Sequence, residues 1–191
     1  MTELYVVRHG ETEWSANGRH TSVTDLPLTE RGDEQARKLA SQLDPADFGL
    51  VLSSPRLRAR HTAELAGFVG EHEPQLDDDL AEWFYGDYEG LTSPEIAQDV
   101  PGWTIWSHPV PGGESADEVA TRLDRVVERV RNSGVERALC FAHGHSLRAL
   151  ALRWLAFDLT LGVHFPLDTG TVSVLGEEKG QPSLERWNAR L

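Results

Sequence analysis

The sequence predicts a three-layer α/β/α sandwich with a mainly parallel sheet, and three observations carry this. Short apolar runs alternate with segments of helical periodicity, which is the pattern of a sheet covered by helices on both faces. Two of those runs, Glu3 to Val7 and Arg137 to Ala142, are apolar enough to be buried strands. Both stop abruptly in polar residues, Arg8-His9-Gly10 after the first and His143-Gly144-His145-Ser146 after the second. Open α/β sheets bind ligands beyond the carboxyl ends of their strands, so these two turns mark the place to look for a site.

The elements follow in order. Thr29 caps a helix whose apolar positions Ala36, Leu39, Ala40 and Leu43 recur at helical spacing before Pro45 stops it. Leu50 to Leu52 is a strand. Ser54 and Pro55 then read as an N-cap and a first-turn proline, which puts Arg56, Arg58 and Arg60 in the opening turns of the next helix. Pro101 to Gly113 is the longest stretch without periodicity. Ser115 with Glu118 forms a capping box, and Val119, Leu123, Val126, Val127 and Val130 make the apolar stripe of a long helix closed by Gly134. After the second buried strand an apolar helix is expected from Leu147 to Ala156, and strands near Thr171 to Leu175 and Leu184 to Trp187 complete the sheet. Residues 1–191 read as one domain.

Composition narrows the classes of function. A chain of 191 residues with 39% hydrophobic and 26% charged residues is that of a globular protein with a full core. Its single cysteine, Cys140, precludes an intrachain disulfide and points to a reducing, cytoplasmic setting. No window is long and apolar enough for a membrane span, and the start lacks the pattern of an export signal. A formal charge of −13 argues against nucleic acid and anionic membranes as partners. Of the 18 basic residues only Lys38 and Lys179 are lysines, and arginine is the side chain suited to forked phosphate recognition.

If the two buried strands are neighbours, Arg8, His9, His143 and His145 meet at one edge of the sheet with Arg58 nearby, forming a cationic pocket. Phosphoryl transfer needs little more: an in-line nucleophile, which histidine can be, and fixed donors around the equatorial oxygens. Four segments then resemble, in order, the motifs of the histidine phosphatase superfamily. They are Arg8-His9-Gly10-Glu11-Thr12, Ser54-Pro55-Arg56-Leu57-Arg58-Ala59 with Thr62-Ala63, Leu80-Ala81-Glu82-Trp83-Phe84-Tyr85-Gly86-Asp87-Tyr88-Glu89-Gly90, and Ala142-His143-Gly144. The resemblance runs from residue 4 to about residue 175 and implies a phosphoglycerate mutase-like sandwich.

Carried over by position, the resemblance makes His9 the phosphate acceptor, Arg8, Arg58 and His143 the groups around the phosphate, and Glu82 the proton donor. Trp83, Phe84 and Tyr85 would wall Glu82, with Trp83 bordering the pocket. Asn17 to Ser22 is similar to the family's substrate loop, so Arg19, Thr21 and Ser22, together with Ser15, Tyr85, Gly144 and His145, are the substrate-side candidates; His20 is also within reach, and Glu89 is read as structural. No cofactor or metal is implied. Residues 80–113 would form a short cap. Two departures from the family's mutases, Ser15 and His145 where they carry asparagine, and the lack of paired arginines between Glu82 and His143, favour a phosphatase acting on small phosphate esters. The run from Tyr85 to Thr92, the tryptophans Trp103 and Trp106, and Pro111 to Ser115 look most like bacterial acid phosphatases and fungal sedoheptulose bisphosphatases, which puts sugar phosphates first.

Alternatives stay open at this point. A phosphoglycerate mutase would exchange phosphate between positions, a metal-dependent hydrolase would use His143-x-His145 as ligands, and a non-catalytic relative would bind phospho-ligands without turnover. Taken singly, a histidine after a strand reads as a hydrogen-bonded structural residue. The apolar C-terminal segments are compatible with a homodimer.

Overall fold

The computed structural model describes residues 2–190 and contains the expected three layers. Six strands, β1 (Glu3–Arg8), β2 (Leu50–Ser53), β3 (Gln75–Leu76), β4 (Arg137–Ala142), β5 (Val172–Glu178) and β6 (Gln181–Ala189), pair in the order β3-β2-β4-β1-β5-β6. The pairings of β1 with β4, β2 with β4 and β2 with β3 are parallel, and β5 and β6 add an antiparallel edge. The described residues also form six α-helices, α1 (Glu13–Asn17), α2 (Glu30–Leu39), α3 (Leu57–Leu65), α4 (Ser93–Asp99), α5 (Ala116–Arg131) and α6 (Gly144–Trp154), of which α2, α3, α5 and α6 pack on the sheet.

The period-two alternation of the strands divides the core. Leu4 and Val6 of β1, Leu52 of β2, and Ala138, Cys140 and Ala142 of β4 pack with the stripes of α5 and α6. Val7, Val51, Leu139 and Phe141 face the other way, against Leu39 of α2 and Ala63 of α3. Residues 101–113 contain no helix or strand, yet Trp103, Ile105, Trp106 and Val110 are buried in the first of these clusters, which ties the segment to the core.

Three helix boundaries differ from the sequence expectation. α2 starts after its Thr29 cap but ends at Leu39, and Leu43 reaches the core from the turns that follow. α3 begins at Leu57 with Arg56 as its cap, because Pro55 restricts the residue before it and the Ser54 hydroxyl is taken by His143 at 2.7 Å. α6 begins at Gly144, three residues earlier than its apolar stripe suggests. His143 gives it no side-chain cap; the Glu82 carboxylate, from another part of the chain, accepts the amides of His145 and Ser146 instead.

The loop after β1 is locked to the first turn of α2. A Cβ on Gly10 would meet the Gly32 carbonyl oxygen at 2.4 Å, and one on Gly32 would meet the Glu11 carbonyl oxygen at 2.1 Å. Gly32→Ala is therefore expected to destabilise the fold by about 1–3 kcal/mol in urea titration, since backbone must move to admit one methyl group.

Candidate active site

The carboxyl ends of β1, β2 and β4 bring three side chains together. The β1–β4 register pairs Arg8 with Ala142, and the His9 amide extends it by donating to the Ala142 carbonyl at 3.0 Å. On the other side of β4 the Ser54 amide donates to Phe141 at 2.9 Å. His9 and His143 consequently sit edge to face with ring centres 5.2 Å apart, and Ser54 touches His143.

Hydrogen bonds settle which nitrogen of each ring is free. His9 Nδ1 lies 2.7 Å from the Gly10 carbonyl oxygen, which can only accept, so Nδ1 carries the proton and Nε2 keeps its lone pair. His143 is the reverse: Arg58 Nε donates to its Nδ1 at 3.1 Å, which leaves the proton on Nε2 facing Ser54 Oγ. Burial, reinforced by the charges of Arg58 and Arg8, holds both imidazoles well below the usual histidine range, so both are neutral at pH 7.

A cleft of about 140 Å³ opens in front of His9. Of the residues expected at the site, Arg8, His9, Ser15, Arg19, Thr21, Glu82, Tyr85, Gly144 and His145 line it. Arg8 donates to the Leu167 carbonyl, its guanidinium lies against the Gly144 Cα, where a Cβ would stand 3.2 Å from Cζ, and its buried Nε has no hydrogen-bond partner among the described residues. Glu82 is anchored by three amides, those of Trp83 at 2.9 Å and Ser146 at 2.7 Å on Oε1 and that of His145 at 3.0 Å on Oε2. The Tyr85 hydroxyl meets His145 Nδ1 at 2.5 Å; burial raises the phenol pKa and lowers that of the imidazole, so both stay neutral.

Other expectations are corrected. Ser22 is 2% exposed and turned away from the cleft, its hydroxyl and amide bonded to Glu89. Burial opposes the charge on Glu89, but hydrogen bonds from Ser22 and Thr24 outweigh it and keep the carboxyl below the usual range, making it a brace for residues 22–24. Arg58 and His143 stand behind His9, outside the lining: the Arg58 guanidinium donates to the carbonyls of Thr21, Ser22 and Thr24 as well as to His143. Trp83 does not border the cleft. Its indole donates to the Glu114 carbonyl and packs edge-on against Trp106, which also packs against the His145 ring, while Phe84 points to solvent. Ser15 lines the cleft, but its hydroxyl already closes a capping box with Thr12. His143 and His145, the pair spaced like metal ligands, are engaged by different partners, Arg58 and Ser54 for one and Tyr85 for the other.

Sequence reasoning missed Arg148 and Leu167 in the lining and left His20 undecided. His20 packs 4.7 Å from the Tyr85 ring and 5.3 Å from that of Trp103.

Residues 4–190 match the histidine phosphatase superfamily (branch 1). An acid phosphatase of Mycobacterium tuberculosis is 41% identical over 185 residues, which are 95% of this chain and 89% of that protein. A sedoheptulose 1,7-bisphosphatase of Saccharomyces cerevisiae is 35% identical, covering 81% of this chain and 68% of its own. A solved structure of an open reading frame product of Mycobacterium tuberculosis superposes with a TM-score of 0.93 at 36% identity, covering 99% of this chain and 98% of that one.

Nitrogen-15 spectra at pH 7 should show His9 protonated on Nδ1 and His143 on Nε2; the opposite assignment for either would contradict the geometry. Burial also pulls the His20 pKa down from 6.5 to about 4. The unfolded chain takes up that proton first as pH falls, so His20 removes stability progressively between pH 6.5 and about 4. In His20→Gln the acid-side loss measured by chemical denaturation should shrink by about 3 kcal/mol.

Proposed function

Because the chain belongs to the histidine phosphatase superfamily, we propose that it hydrolyses small phosphate monoesters through a phosphohistidine at His9, with no metal. The observation that carries this reading is the hydrogen bond from His9 Nδ1 to Gly10, which holds Nε2 unprotonated toward a cleft lined by Arg8 and Glu82.

In the first step His9 Nε2 attacks phosphorus while the bond to the ester oxygen breaks, and Glu82 gives its proton to the departing alkoxide. In the second, water attacks the phosphohistidine, the Glu82 carboxylate takes the water proton, and the N–P bond breaks to release phosphate. Arg8, Arg58 and His143 are assigned to the phosphoryl group, Arg8 from the cleft and the other two from behind His9, where the Arg58 charge already acts on the ring. The three amides on Glu82 keep its carboxyl group at the leaving oxygen through both steps. Arg19, Thr21, Tyr85 and His145 form the wall met by the rest of the substrate, and residues 80–113 act as its cap.

Sugar phosphates are the favoured class, supported by the yeast relative that acts on a sugar bisphosphate. None of the described helices is long and apolar enough to cross a membrane. The buried, unpaired Cys140 and the charge of −13 support a cytoplasmic protein whose partner is a small phosphate ester.

His9→Ala should lower phosphate release from an aryl phosphate, assayed in chelator, by about a thousandfold or more. Glu82→Gln should cost about 10²–10³ in kcat on a sugar phosphate and less on an aryl phosphate, whose leaving group needs no proton. With both free-enzyme imidazoles held low, kcat/KM on the aryl ester should show no acid limb at pH 6.5; a limb there would place a titrating histidine in the mechanism.

A further inference from the structure

One cation of the cleft is left unused by this chemistry. Arg148 sits on α6 just past the turn that carries His145, and it lines the cleft. Its guanidinium carbon lies 4.6 Å over the Trp106 ring. Trp106 is backed by Gly162, where any Cβ would meet the ring at 2.4 Å, and the Gly162 carbonyl accepts from Arg148 Nη2 at 2.5 Å. The group is thus mounted on two sides. Its Nε is buried and has no hydrogen-bond partner among the described residues. An unmet buried donor on a charged group is costly and uncommon in a settled fold.

The environment leaves this charge undercompensated. Burial lowers the Arg148 pKa to about 10, so it remains cationic at neutral pH, and the carboxylate whose charge opposes that shift, Glu82, already takes three amides. Arg19, also in the lining, differs: it donates to the Gly90 carbonyl at 2.6 Å and pairs with Glu95 at 3.7 Å. Arg148, by contrast, takes no ion pair among the described residues and, with Arg8 assigned to the phosphoryl group, is left to meet whatever is joined to it.

Resting on the phosphatase reading above, we infer that Arg148 is a specificity-determining residue that binds a second anionic group, phosphate or carboxylate, on the leaving portion of the substrate. A charge-assisted bond from the guanidinium to an oxyanion would compensate its charge, and a substrate without that group would leave the charge uncompensated in the cleft, which is how a polar site discriminates strongly.

The test compares wild type, Arg148→Met and Arg148→Lys on fructose 1,6-bisphosphate, 3-phosphoglycerate and glycerol 3-phosphate. Methionine retains the packing over Trp106 without the charge. For at least one of the two doubly anionic substrates, Arg148→Met should lose about 30-fold or more in kcat/KM, mainly through KM, against about threefold or less for glycerol phosphate. Arg148→Lys should fall between, because it keeps charge but not the planar fork. The more affected substrate identifies the second group as phosphate or carboxylate. Equal losses on all three substrates, or no loss in either variant, overturn the inference while leaving the phosphatase reading intact. Absence of His9-dependent turnover of any of them by the wild type overturns that reading and this inference with it.

Discussion

The parallel pairing of β1 with β4 is the constraint on which the rest of the site depends. Its register sets Arg8 beside Ala142, and one further hydrogen bond, from the His9 amide to the Ala142 carbonyl, carries the alignment past the end of the sheet. Two residues remote in sequence, His9 and His143, are thereby held in ring contact with no direct bond between them. The register is itself fixed by burial on both faces: a slip of one residue would turn Leu4, Val6, Cys140 and Ala142 toward α2 and α3 and expose the wrong set to α5 and α6.

Around this frame the chain solves a problem of desolvated charge. Two arginines, Arg8 and Arg58, are drawn out of water beside two imidazoles, and burial leaves the imidazoles neutral while the arginines keep their charge. Arg58 is satisfied by three loop carbonyls and His143, which makes the 21–24 loop part of its mount, and Glu89 secures that loop from the other side. The Glu82 carboxylate replaces the missing side-chain cap of α6, so that the helix start and the carboxylate are positioned by the same hydrogen bonds. The result is a small cationic cleft in a molecule with a charge of −13, a combination that favours compact anionic substrates over extended polyanions.

Much of this was legible in the residues. The two buried strands with polar endings, the Ser115 capping box and the Thr29 cap are local patterns, and the structure contains them. The helix starts at Leu57 and Gly144 were not legible, because each depends on a distant partner: His143 takes the Ser54 hydroxyl, and Glu82 supplies the cap of α6. The orientation of Ser22 and Trp83 likewise depends on Glu89 and Glu114, contacts across 67 and 31 residues that no spacing encodes. Arg148 escaped notice for a related reason, since its place in the cleft is set by Trp106 and Gly162 rather than by its neighbours on α6.

Phosphohistidine formation at His9 is tested by quenching the enzyme during turnover of a phosphorus-32-labelled sugar phosphate and mapping any phosphate bound to protein. Acid-labile, alkali-stable label is expected on His9 and is expected to be absent from His9→Ala. Label on another residue, or turnover with no phosphoenzyme under conditions that would trap one, would contradict this mechanism.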